Sequence, residues 1–136
     1  QVMPITQLNS RIGRFDTLLM LGNNFGLFGN FRRAQWLLKR FHTITNSGAK
    51  KIAQSRDPYS TTDHTILEYH KLNRQRGRMS GQIRLRIRYK HTVTPWVDYL
   101  LVSMDEMDHI LENTGWQVTK FFDAGDSTYI AIIEKS

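Results

Sequence analysis

The strongest constraint on this chain is a strand-helix-strand pattern in its first third. Phe15 to Leu21 (FDTLLML) is a short apolar run closed by Gly22-Asn23-Asn24. A run of that length between turn residues reads as a buried strand. A helix is expected after Asn30, whose side chain suits an N-cap. Phe31, Ala34, Leu37, Leu38, Phe41 and Ile44 recur three and four apart and form one apolar face. Asn46-Ser47-Gly48 is expected to end that helix, and Ala49 to Ser55 is a second strand candidate. Two strands joined by a helix through short links imply a parallel pair with a right-handed crossover, so the chain reads as α/β.

The 136 residues fit one domain that buries roughly two thirds of its unfolded surface. There is no cysteine, which removes disulfides and thiolate metal sites and makes a cytoplasmic protein the simplest reading. No apolar run approaches the roughly 18 residues of a membrane span, so no membrane partner is expected. The start, Gln1-Val2-Met3-Pro4, has no basic segment before an apolar stretch and does not read as a signal peptide. It also lacks an initiator Met, which hints at upstream sequence.

The second half has a different texture. Asp57 to Asp63 is polar and turn-rich, and residues 64 to 80 are polar and basic with short helical patterning. From Gln82 to Tyr89 the chain alternates: Ile83, Leu85, Ile87 and Tyr89 are expected on one face, Arg84, Arg86 and Arg88 on the other. Thr92 to Val102 reads as the returning strand of a hairpin, with Pro95 at a bulge or edge. Ser103-Met104-Asp105-Glu106 is a capping box opening a helix with Met104, Met107, Ile110 and Leu111 inward and Gly115 at its stop. Trp116 to Phe122 and Thr128 to Glu134 are expected to form a closing antiparallel hairpin around the turn Ala124-Gly125-Asp126-Ser127.

Taken together, these segments resemble, in order, the C-terminal half of the class I S-adenosylmethionine-dependent methyltransferases. Phe15-Asp16 with the strand through Gly22-Asn23 resembles the family's fourth strand, and Phe31 to Thr45 the helix after it. Gly48 to Asp57 is similar to the fifth strand. Gly115-Trp116-Gln117-Val118 resembles the entry to the sixth, and Tyr129 to Glu134 the seventh. Val2-Met3-Pro4-Ile5 is similar to the segment that lies against the adenine. The resemblance covers nearly all 136 residues. It implies a partial Rossmann-like sheet of the fourth to seventh strands, the last hairpin antiparallel, with a cap and hairpin insertion at about 58–102. The family's acidic-x-Gly-x-Gly turn and its ribose-binding acidic residue are absent. This segment alone is therefore expected to bind cofactor weakly and to be inactive.

The resemblance implies S-adenosylmethionine as cofactor and a small molecule as methyl acceptor. Met3, Leu21, Gly22, Asn23 and Phe25 are the expected cofactor-side residues, with Phe25 covering the sulfonium. Asn24, Arg56 and Asp57 are expected to face the acceptor, and Tyr69 or His70 could take its proton. Blander readings stand beside these: a plain strand-to-helix connection for the Gly22–Gly29 loop, and a salt-bridged turn for Arg56-Asp57. Asp63, His64, Glu68 and His70 match no metal-ligand spacing, and no metal is expected. His42 and His109 read as surface residues of helices.

The net charge of +7 is concentrated. Lys71, Arg74, Arg76, Arg78, Arg84, Arg86, Arg88 and Lys90 lie in a stretch with no acidic residue, and all 12 acidic residues lie elsewhere. Such a stretch could bind the phosphates of a nucleic acid, or be the solvated outer face of a cover over a pocket. A non-catalytic basic module, or a methyltransferase-like fragment without activity, is the alternative function. Oligomeric state is not legible.

Overall fold

The computed structural model describes residues 2–136. Strand β1 (Phe15–Met20) runs parallel to β2 (Thr45–Arg56), and helix α1 (Phe31–Thr43) crosses between them. Two further strands, β7 (Trp116–Asp123) and β8 (Thr128–Lys135), form the closing hairpin. Strand β8 pairs antiparallel with both β2 and β7, so the sheet order is β1-β2-β8-β7. This is the expected α/β sheet with an antiparallel end.

Local chemistry explains the helices. The Asn30 side chain accepts the Arg33 amide at 2.9 Å and starts α1, which buries Ala34, Leu37, Leu38 and Phe41. Helix α3 (Met104–Leu111) opens on the capping box as expected. Ser103 Oγ accepts the Glu106 amide at 3.2 Å, and Glu106 Oε2 accepts the Ser103 amide at 3.0 Å. Each such cap satisfies a backbone donor that the first turn leaves open. Helix α3 ends at Leu111, short of the expected stop at Gly115. Gly115 instead holds φ +82° at the entry to β7, where a Cβ would stand 2.5 Å from the His42 ring. His42 is accordingly half-buried against Trp116 and not a free surface residue.

Two expectations change. Asn46-Ser47-Gly48 lies inside β2 and does not terminate α1. Pairing with β1 jumps from Phe15↔Thr45 to Thr17↔Lys50, so these residues form a bulge, with Gly48 at φ +75°. A bulge uses the same turn chemistry as a helix end. Strand β1 is not buried: it is the open edge of the sheet, and Leu19 is 64% exposed. An apolar run covered on one side only cannot bury both faces. The sequence pattern does not single out Lys51 on β2, whose side chain is fully buried in the core and has no hydrogen-bond partner. Its Nζ lies 4.4 Å from the Trp116 ring centre and 4.7 Å from that of Phe41.

Residues 58–102, the expected cap segment, form one helix and two antiparallel strand pairs. Asp63 caps helix α2 (His64–Gln75) by accepting the Thr65 and Ile66 amides. Strands β3 (Gln82–Leu85) and β6 (Val97–Leu100) pair antiparallel, and a shorter ribbon of β4 (Arg88–Tyr89) and β5 (Thr92–Val93) extends beyond them. Pro95 sits in the break between β5 and β6. Ile83 and Leu85 are half-buried, but Ile87 is 63% exposed, contrary to the expectation that it packs on the core. The ribbon has left the body by that point, and nothing lies beneath it. No helix is long and apolar enough to cross a membrane among the described residues.

Candidate active site

The loop after β1 is held in an unusual conformation. Gly22 and Asn23 both adopt left-handed backbone, at φ 66° and 60°. The Gly22 amide donates to Gln54 Oε1 on β2 at 2.8 Å. From the other side the Tyr99 hydroxyl of β6 donates to the Asn23 carbonyl. The Tyr99 ring lies on Gly26, where a Cβ would stand 2.3 Å from it. Glycine is therefore required at 26 by close packing. The loop is clamped between the sheet and the cap. Within it, Asn23 Oδ1 is buried and has no hydrogen-bond partner. An unpaired buried acceptor costs about 1–3 kcal/mol, and a donor placed against it would recover that.

Phe25 does not stand on the lip. It is fully buried and meets Phe28 edge-on at 4.8 Å between ring centres. The left-handed pair and the single helical turn after it, Asn24–Phe28, direct this ring into the core. In this conformation Phe25 supports the loop from beneath and does not cover a cation above it. Asn24 and Leu21 are exposed. A hollow of about 330 Å³ beside β1 brings Met3 together with Leu19, Met20, Asn24 and Leu27. Leu21, Gly22, Asn23 and Phe25 do not line it.

A second, larger cleft of about 630 Å³ opens between α2, the end of β2 and β3, and it brings Arg56, Tyr69 and His70 together. His70 is buried, and its pKa is lowered by that burial and then by the Arg74 charge, so the ring is neutral at pH 7. A neutral imidazole is the form able to accept a proton. Tyr59, whose ring lies 6.1 Å from that of His70, donates its hydroxyl to Glu106 Oε1 at 2.6 Å.

Asp57 faces elsewhere. Its carboxylate accepts the Tyr59 amide at 2.9 Å and the Ser60 hydroxyl at 3.4 Å, and it lines a separate hollow with Asp105 and Asp123. The Arg56-Asp57 pair is not a salt bridge. Among the described residues no three His, Cys, Asp or Glu side chains converge as a metal site requires.

The expected site residues thus divide between the clamped loop, the hollow beside β1 and the cleft beside α2. One stretch of chain links loop and cleft: Tyr99 holds the loop, and Leu101, two residues on, lines the cleft. Sequence reading missed Tyr99, Gly81 and Ser127. Only the D-Y pair at 98–99 inside a hairpin strand hinted that a polar side chain there had a partner.

This architecture is that of known structures. The chain has the class I methyltransferase fold, shown by its likeness to several solved S-adenosylmethionine-dependent methyltransferases. One, from Bacteroides fragilis in complex with S-adenosyl-L-homocysteine, matches at TM-score 0.72 and 20% identity, over 93% of this chain and 50% of that one. A methyltransferase from Methanosarcina mazei matches at TM-score 0.67 and 11% identity, over 99% and 66%. The CcbJ methyltransferase of Streptomyces caelestis matches at 0.64 and 10%, over 99% and 62%. The chain therefore spans between half and two thirds of the length of these structures. No protein-family model matches it, and no curated protein matches it by sequence.

Proposed function

We propose that this chain is the acceptor-side part of an S-adenosylmethionine-dependent methyltransferase acting on a small molecule. The observation that carries the reading is the clamped loop at the carboxyl end of β1, with Gly22 and Asn23 both held in left-handed backbone. In open α/β sheets, ligands sit beyond the carboxyl ends of the strands, where strand order reverses. The left-handed Gly22, with open space where a side chain would stand, fits close approach.

On this reading Met3, Leu21, Gly22 and Asn23 hold one side of the cofactor, with Phe25 as their support. The cofactor supplies an activated methyl group. The chain's own work is to orient the acceptor, exclude water and accept a proton at neutral His70, with Tyr69 beside it in the same cleft. The Gly-rich turn and ribose-binding carboxylate would come from a segment pairing with the open edge of β1. Residues 58–102 would cap the acceptor.

The test is methyl transfer by the longest form of the protein. Asn23→Ala is expected to lower turnover by about tenfold or more with little change in melting temperature. Full activity in that variant would refute the loop assignment. The 136-residue chain alone is expected to bind S-adenosylhomocysteine weakly. Submicromolar binding would show the cofactor side to be misplaced.

A further inference from the structure

The cleft beside α2 carries an unbalanced positive charge. Arg56 donates from Nε to Ser127 Oγ at 2.9 Å, which fixes its guanidinium along one edge. Its terminal nitrogens have neither an ion-pair nor a hydrogen-bond partner among the described residues. Arg84 also lines the cleft without an ion pair. Arg74, close enough to act on His70 electrostatically, donates to Ser80 Oγ at 2.9 Å.

Four nearby carboxylates are already engaged, and Asp98, opposite Arg84 in the β3–β6 pairing, makes no ion pair with it. Asp57 accepts from Tyr59 and Ser60, and Asp63 caps α2. Glu106 accepts from the Ser103 amide and the Tyr59 hydroxyl. Asp126 accepts from the Thr128 hydroxyl and amide, and it lies beyond ion-pair distance of Arg56 although it feels that charge. No Asp or Glu lines the cleft. The rest of the wall is largely apolar: Pro58, Ile66, Tyr69, Ile83 and Leu101.

We propose that this cleft binds an organic carboxylate, its apolar body against Ile66, Tyr69, Ile83 and Leu101 and its carboxylate on the free edge of the Arg56 guanidinium. A planar guanidinium presents two parallel donors that match a carboxylate, and an anchored one loses little freedom on binding. The cleft volume of about 630 Å³ lies in the range of small-molecule sites. The inference deepens the methyl-transfer reading, and it rests on that reading for the identity of the ligand as the acceptor.

Binding can be measured without cofactor, by calorimetry on the full chain. The probes are naphthoate and uncharged naphthalenemethanol, which share an apolar body. Naphthoate is expected to bind at least about tenfold more tightly. Arg56→Gln should remove about that factor for naphthoate and leave naphthalenemethanol within about twofold. Thermal melts of the variant check that it folds. Arg88→Gln, on the ribbon outside the cleft, should change neither affinity. Equal affinity for the two probes, an equal loss in Arg88→Gln, or no binding of either at millimolar concentration would overturn the proposal. If naphthoate binds through Arg56 while Asn23→Ala keeps full methyl transfer, this inference stands and the cofactor assignment falls. The opposite pattern removes this inference alone.

Discussion

The sheet with α1 and α3 and the cap with its ribbon are built on different principles. In the first, Ala34, Leu37, Leu38, Phe41, Met107, Ile110, Ala131 and Ile133 form one buried core. In the second, α2 buries only His70 and Asn73, and Ile66, Leu67, Leu72, Ile87, Tyr89, Val93 and Trp96 stay exposed. Leu100 and Val102 join the body's core at the base of the cap, and polar anchors order the rest. The Asn73 amide donates to the Ser80 and Gln82 carbonyls at 3.0 and 2.7 Å, and the Leu101 amide donates to Gly81 at 2.9 Å. The body is specified by burial, and the cap by a few directional bonds at its base. Segments with few buried apolar contacts are the ones that open locally at low cost.

Four variants sharpen that contrast. The largest effect is expected in the body: Leu38→Ala, at a fully buried site, should cost about 2–5 kcal/mol in denaturant unfolding. A loss as small as that of a surface substitution would mean that the core collapses around the cavity. Next comes the base of the cap. A Cβ at Gly81 would stand 2.1 Å from the Leu101 carbonyl oxygen, which is backbone and cannot swing away. Gly81→Ala should therefore cost about 1–3 kcal/mol and raise hydrogen exchange across β3 and β6 before the main sheet. Uniform exchange throughout would show the two regions to be one cooperative unit.

The third concerns Lys51. Burial holds its pKa well below the usual lysine range. The unfolded chain keeps that proton to higher pH than the folded one. Stability should therefore rise with pH between the lowered folded value and the ordinary lysine value, and be lower below it. Lys51→Met should stabilise the chain by about 1–4 kcal/mol at neutral pH and flatten that slope. A destabilised variant, together with no such slope in the parent chain, would show that the ammonium gains more from the Trp116 and Phe41 rings than it loses by burial.

The smallest effect on stability is expected at the ribbon. Arg84, Arg86 and Arg88 changed together to Gln should move stability by no more than about 0.5 kcal/mol, since all three are exposed. The same variant tests the nucleic-acid alternative. Three phosphate contacts would give a log-log salt slope of about −2 to −3 that the variant loses. The native chain is expected to show only weak binding that vanishes near physiological salt. The structure adds one aromatic that a strand reading separates from these charges: the Arg86 guanidinium lies 4.8 Å over the Trp96 ring. A tight, salt-resistant complex would make the ribbon a nucleic-acid surface.

What the sequence by itself determined follows from local rules. The apolar period of α1, the Ser103–Glu106 capping box, the Asn30 cap and the Thr128–Lys135 strand were legible because each depends on residues within one turn or one strand. Arg56, which the resemblance put toward the acceptor, and Tyr69 and His70, named as candidate bases, line one cleft. Only the tertiary structure decided the rest, because each remaining feature depends on which distant segment lies opposite. The burial of Lys51 follows only from Trp116 and Phe41 being placed around it. Phe25 reads as a lip residue until two left-handed residues turn it inward. Asp57 parts from Arg56 because its own turn takes the carboxylate. Tyr99 acquires a role only when β6 crosses the Asn23 carbonyl, a contact spanning 76 residues that no local pattern encodes.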